Sequence, residues 1–353
     1  MKIRFLARKA RLHFFLAKCI ALSFAIIGGG GIYYFILLVQ DKFYSPWLYG
    51  LYVLVPIFSY GLYTKVNARY IRRIFIYRTP FPEKWRNILK ETVVYYQGLS
   101  PTARKKFEKR IQIFLAEKHI EGIQTSIDDK IKLWVACSAV IPAMGFEDAD
   151  YDDLGTIFIY PQDFSSDFQL NTPEQAYISG LVAGPYHYNA MILSKPALVD
   201  SFSSRHPGRH VGIHEFIHVL DREDGAMDGI PAIYLNEEQI QKWIELMQQE
   251  MRAIINRHSN IDSYAATSSV EFLAVVGEYF FTYPEMLKAE HPQLYDLFKI
   301  AFRQDPQQIL KNAPQAQIYK QHLFRTQHPE HYTLHFWDPF FVRYHLVQEP
   351  KTT

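Results

Sequence analysis

The chain has 353 residues, 48% of them hydrophobic, enough to fill the core of one large or two medium globular units. Its formal net charge of +2 excludes the overall basic field of a nucleic-acid-binding protein, so no direct nucleic-acid partner is expected. The two cysteines, Cys19 and Cys137, lie in apolar stretches, which excludes a disulfide framework or a cysteine-ligated metal.

Residues 1–18 form a basic N-terminal segment carrying Lys2, Arg4, Arg8, Lys9, Arg11 and Lys18. Residues 19–40 and 43–64 carry no charge and are parted only by Asp41 and Lys42. Each run is long enough to cross about 30 Å of hydrocarbon as a helix. Gly28 to Gly31 do not argue against this, because membrane helices tolerate glycine where backbones approach closely. The pair predicts a transmembrane hairpin with the lipid bilayer as a partner. After it come Lys65, Arg69, Arg72, Arg73 and Arg78 with no acid before Glu83, so the positive-inside rule places both termini and the downstream domain in the cytoplasm. The expected location is the inner (cytoplasmic) membrane of a bacterium, multi-pass. A cleaved signal peptide is disfavoured because no small-residue cleavage site follows Gln40 and a second apolar run comes at once.

Residues 65–79 read as a basic juxtamembrane connector ending at Thr79-Pro80-Phe81-Pro82, and a domain is expected over 80–306. Helical periodicity runs over 83–121, with Trp85, Ile88, Leu89 and Thr92 on one helix and Phe107, Ile111, Phe114 and Leu115 on the next. The apolar stretch 133–145 reads as a buried helix. Residues 155–160 (GTIFIY) and 190–194 (AMILS) read as strands, being rich in β-branched and other apolar residues. Helices are expected at about 209–221, 236–257, 269–281 and 290–303. Helices, a small sheet, then helices predict an α+β fold. Residues 307–353 form a C-terminal extension in which 331–347 suggests two short strands. Its histidines, His322, His328, His331, His335 and His345, have irregular spacing and only Glu330 and Asp338 nearby, so they read as surface histidines rather than a metal site.

The chemistry concentrates in His214-Glu215-Phe216-Ile217-His218. On a helix, residues four apart share a face, so both imidazoles can reach one zinc ion at about 2.0–2.1 Å. Glu215 is then placed to take a proton from a zinc-activated water attacking a peptide carbonyl, which is the logic of the HExxH motif. Val211, Ile213, Phe216, Ile217 and Leu220 make the helix largely buried, and a buried polar trio needs a partner that a metal supplies. A catalytic zinc commonly has three protein ligands, and no third histidine follows closely, since position 224 is Asp224. Downstream, His258, Glu271 and Glu278 are open as the third ligand. Glu271 and Glu278 are seven apart on one helix, about 10 Å along its axis, so only one can reach the metal. Glu271 has a structural alternative, a capping box with Ser268.

GIHEFIHVLDREDG and SYAATSSVEFLAVVGEYFFTYPEML, together with PFPEKWRNIL, IFLAEKHIEG, TIFIYPQDF and FRQDP, occur in an order that resembles the Mlc titration factor A family. These are zinc peptidases similar in catalytic architecture to anthrax lethal factor. The resemblance implies a zincin-like domain, hydrolysis of a peptide or protein substrate, one zinc per chain, Glu271 as third ligand and Tyr264 as hydrogen-bond donor to the oxyanion. It also implies capture of a glucose-responsive transcriptional repressor, which makes a non-catalytic sequestering role the alternative to hydrolysis. Asp221 is expected as a partner orienting a ligand histidine. Asp224-Gly225 and Asp228-Gly229 read as turns rather than a calcium loop. The two apolar spans and the extension depart from the family, whose members are commonly soluble. Intramembrane proteolysis is disfavoured, because no spanning segment lies near His214.

Overall fold

The computed structural model describes residues 67–314 except 147–149, 164–179, 183–189, 204–206 and 233, together with Gly30, Gly31, Tyr34, Ile57, Tyr60, Gly61, Thr64 and Lys65. The predicted spans at 19–40 and 43–64 therefore lie almost wholly outside the described residues, as do the basic segment 1–18 and the histidine-bearing stretch 331–347. Among the described residues no helix is long and apolar enough to cross a membrane. The chain divides into two compact units, Met1–Pro80 and Phe81–Thr353. The first contains helix α1 (Ala68–Arg78), which leaves Phe75 and Tyr77 exposed.

The second unit begins with α2 (Glu83–Thr92), α3 (Val94–Gly98) and α4 (Pro101–Glu117), then strand β1 (His119–Gly122) and α5 (Asp129–Ala143). Ser100 caps α4 by accepting the Ala103 amide, with Pro101 at the first helical position, where its missing N–H costs nothing. Strands β2 (Thr156–Tyr160), β3 (Gly180–Val182) and β4 (Ala190–Ser194) complete a sheet ordered β1-β2-β4-β3. β1, β2 and β4 run parallel, with Ile157 opposite Ile120 and Met191, while β3 pairs antiparallel along the free side of β4. The expected strands at 155–160 and 190–194 are present, and the fold is mostly helical with a small sheet. Where helical periodicity was expected to continue to 121, the chain instead leaves α4 at Glu117 and pairs His119–Gly122 with β2. A run of four residues beside a helix carries too little period for sequence to separate strand from helix tail.

The second half is helical: α6 (Lys195–Ser201), α7 (Val211–Asp221), α8 (Glu237–Ile255), α9 (Ser269–Thr282), α10 (Pro284–Glu290), α11 (Pro292–Phe302) and α12 (Pro306–Lys311). The helix expected at 290–303 starts at Pro292, a residue suited to the first turn and unable to continue α10. α5, α7 and α9 form the centre. Leu133 to Ala143, Gly212 to Asp221 and Phe272 to Glu278 are buried without a break, the mark of helices enclosed on all sides. At the far end, Ala313 beyond α12 is also buried.

Two glycines set the spacing of the elements that matter below. A Cβ on Gly277 of α9 would lie 2.2 Å from Ile217 Cδ1 of α7, so the two helices meet where one has no side chain. Gly229, at φ +77°, presses on the start of α9, where a Cβ would come within 2.1 Å of the Ser269 carbonyl oxygen. Its amide donates to Asp221 Oδ2 at 2.9 Å, and its carbonyl accepts Trp243 Nε1–H at 2.9 Å. This residue thus ties the end of α7 to the start of α9. Gly229→Ala combines positive-φ strain with a backbone clash, and thermal unfolding of the full chain is expected to show a loss of at least about 1 kcal/mol.

Candidate metal centre

His210 caps α7, its Nδ1 accepting the Ile213 amide at 3.1 Å. From there the apolar residues of α7 turn into the core and bring His214, Glu215 and His218 with them, each less than a tenth exposed. α9 starts at Ser268, whose hydroxyl accepts the Glu271 amide at 3.1 Å. This is one half of the expected capping box. The Glu271 carboxylate turns instead to the histidines, with Oε2 3.0 Å from His214 Nε2 and 3.5 Å from His218 Nε2. The two Nε2 atoms are themselves 3.0 Å apart.

Three ligand atoms thus face one point, and His214, His218 and Glu271 form a candidate metal site. Two imidazole lone pairs and a carboxylate oxygen repel one another at such distances unless a cation or a proton stands among them. Ligands at about 2.0–2.1 Å in a tetrahedron lie about 3.3–3.4 Å apart, close to the 3.0, 3.0 and 3.5 Å seen here. The donor set and its spacing fit a divalent metal of that class. His258 is exposed and outside this cluster.

Glu278 occupies a different place from the ligand position open to it on sequence. Its Oε1 is 2.7 Å from His214 Nδ1, and its Oε2 accepts the His210 backbone N–H. It therefore fixes the His214 ring from the side opposite the metal face, the arrangement by which a carboxylate sets tautomer and ligand basicity. Sequence reasoning weighed Glu278 only as a ligand. The available signal was its position two turns beyond Glu271 on the same face, where it meets the far side of the first histidine. Asp221, expected beside a ligand histidine, accepts the Gly229 amide. Glu278→Gln keeps shape and removes charge, and is expected to weaken metal binding about 10–100-fold in a chelator competition titration.

Electrostatics follow from this packing. Burial works against a charged His214 ring, but the hydrogen-bonded Glu271 and Glu278 carboxylates outweigh it and hold its pKa well above 6.5. For Glu271 burial is likewise overcome, here by hydrogen bonds from His214 and His218, and its pKa lies well below 4.5. Glu215 goes the other way. Burial, assisted by Glu271 and Glu278 and opposed by the two histidines, raises its pKa and makes it a stronger base. Tyr264 sits on the 3-10 turn Ser263–Ala266, its ring centroid 6.0 Å from that of His214. Burial, the Glu271 and Glu215 carboxylates and a hydrogen bond to Glu271 all raise its pKa, so it remains a phenol and a donor.

An uncharacterized protein of Synechocystis sp. is 31% identical over 65% of this chain and 87% of its own length. Mlc titration factor A of Serratia proteamaculans is 27% identical over 64% of this chain and 93% of its own. Mlc titration factor A of Escherichia fergusonii is 30% identical over 57% and 79%. Residues 67–303, which include every side chain of the candidate metal centre, match the glucose-regulated metallo-peptidase M90 family. The chain belongs to that metallopeptidase family.

Proposed function

We propose that the protein is a zinc-dependent peptidase that hydrolyses peptide bonds with His214, His218 and Glu271 as ligands, Glu215 as general base and Tyr264 as oxyanion donor. The observation that carries this reading is the convergence of three ligand atoms beside a buried glutamate of raised basicity. When bound, zinc supplies Lewis acidity, polarising a carbonyl and acidifying water. Glu215 takes the proton of the attacking water, and its burial leaves it no solvent to compete for that proton. Tyr264 donates to the oxygen on which negative charge develops, at the cost of its bond to Glu271. Glu278, itself held by the His210 amide, holds the first histidine still. Asp221 supports the end of α7 through the Gly229 amide that its Oδ2 accepts. The two uncharged runs at 19–40 and 43–64 serve as a membrane hairpin that keeps this domain on the cytoplasmic side.

The test is metal analysis of the full-length chain purified in detergent. About one zinc per chain is expected, retained in Tyr264→Phe with turnover lowered about 10²–10³-fold. Turnover unchanged in that variant removes Tyr264 from the mechanism. A second reading rests on the name Mlc titration factor A borne by several relatives: the chain captures a transcriptional repressor at the membrane without cleaving it. Capture that persists undiminished in a metal-free variant, with no hydrolysis by the wild type, favours that reading.

A further inference from the structure

Three consecutive residues just ahead of α7 each hold a different element. Gly208, at φ +84°, lies against the Tyr279 ring of α9, where a Cβ would come within 2.4 Å of Cε1, and its amide donates to Thr282 Oγ1 at 3.1 Å. The His210 amide donates to Glu278. Both of these grip α9, the helix that carries Glu271 and Glu278. Arg209, between them, reaches elsewhere: its guanidinium donates to Asp262 Oδ2 at 2.8 Å. Asp262 begins the turn on which Tyr264 sits.

That turn is a single 3-10 turn, Ser263–Ala266, and hydrogen bonds of this kind are poorer in geometry than those of an α-helix. Its start depends on Asp262. The Asp262 carbonyl accepts the Ala265 amide at 3.0 Å, and Oδ1 accepts the amide of Tyr264 itself, also at 3.0 Å. One carboxylate therefore caps the Tyr264 backbone with one oxygen and takes Arg209 with the other. At the far end the Thr267 hydroxyl donates to the Tyr264 carbonyl at 2.7 Å. The backbone of Tyr264 is held on both sides, and its ring lies beside that of His214.

We infer that Asp262, braced by Arg209, is a positioning residue for Tyr264: it ties the tyrosine turn to the start of α7 and so sets where the phenol stands relative to the ligands on that helix. An ordinary surface ion pair is the alternative. The Arg209 and Asp262 side chains are 46% and 19% exposed, and a pair so placed contributes little to stability. Its effect on turnover can be much larger, because a displacement of about 1 Å in a reacting group costs on the order of 10²-fold. The catalytic part of this assignment rests on the oxyanion role proposed above for Tyr264; the hold on the ring does not.

Turnover of fluorescein-labelled casein by the zinc-loaded full-length chain, with zinc content measured alongside, tests the catalytic part. Asp262→Ala is expected to lower kcat about 10–100-fold with KM and zinc content near the wild-type values, less than the loss caused by removing the phenol. Arg209→Gln leaves the cap and loosens only the brace, so about two- to fivefold is expected, with Arg209→Lys restoring most of it. In a Tyr264→Phe background Asp262→Ala is expected to cost less than about twofold, since no phenol is left to misplace. The same loss with and without the Tyr264 hydroxyl, or loss of zinc in Asp262→Ala, overturns the assignment. A fluorotyrosine in place of Tyr264 reads the hold on the ring without any turnover. Its fluorine resonance is expected to shift in Asp262→Ala and in Arg209→Gln, and a resonance unmoved in the half-exposed Arg209→Gln overturns the brace even where Asp262→Ala fails to fold. A shifted resonance together with unchanged turnover in Tyr264→Phe leaves the hold standing and removes the oxyanion role alone.

Discussion

Replacing Glu215 with glutamine is expected to lower peptide cleavage by about 10²–10⁴-fold while the metal stays in place, the range a positioned general base contributes. Glutamine keeps the volume of a buried residue, 5% exposed, so the helix and its ligands are undisturbed. Only proton-accepting capacity is lost. In the metal-free site burial raises the Glu215 pKa, and the charge of a bound metal works against that rise, so the acid limb of cleavage is read on the loaded enzyme. The measurement pairs turnover with metal content in both proteins across pH. Glu215→Gln turning over at the wild-type rate would show that another group takes the proton.

Metal uptake is expected to expel a proton and to strengthen as pH rises. In the metal-free site the two carboxylates keep the His214 pKa well above 6.5, so near neutral pH a metal must displace that proton before Nε2 can ligate. Below the raised pKa, affinity grows about tenfold per pH unit for each proton lost. The metal-free fold responds in the opposite sense. His214, raised in the folded state, contributes stability that is fully present below its unfolded pKa near 6.5 and is lost as pH rises through the folded value. Glu271, depressed in the folded state, contributes stability present above 4.5 and lost as pH falls through its folded value. The metal-free site therefore stabilises most between 4.5 and 6.5, and the thermal-shift gain from zinc widens above that window. Calorimetry in buffers of different ionisation enthalpy counts the protons released. Binding with no proton release at neutral pH would mean that His214 is already deprotonated in the metal-free chain.

How much of this was legible in sequence varied with the physical signal. The HExxH helix was legible because the spacing of His214 and His218 and the apolar frame around them belong to one continuous stretch. Strands 156–160 and 190–194 were legible for the same reason, as local apolar runs. Glu271 was not separable from Glu278 and His258 by spacing. The choice came from the family resemblance, and in the fold it depends on how closely Gly277 lets α9 approach α7. Strand β1 exists because β2 lies beside it, which no four-residue window records. The role of Glu278 needed the His210 amide and the far side of a ring, contacts between residues 64 and 68 apart in the chain. For Asp221, sequence gave its nearness to the ligands but not the Gly229 amide that it holds. The apolar runs before Lys65 were read from composition alone.

The most direct measurement is mass spectrometry of a peptide library incubated with the full-length chain before chelation, after chelation and after zinc is restored. Hydrolysis by a zinc centre predicts cleavage products that disappear with the metal and return with about one zinc per chain. A zinc-loaded chain that leaves every peptide intact would contradict the peptidase account.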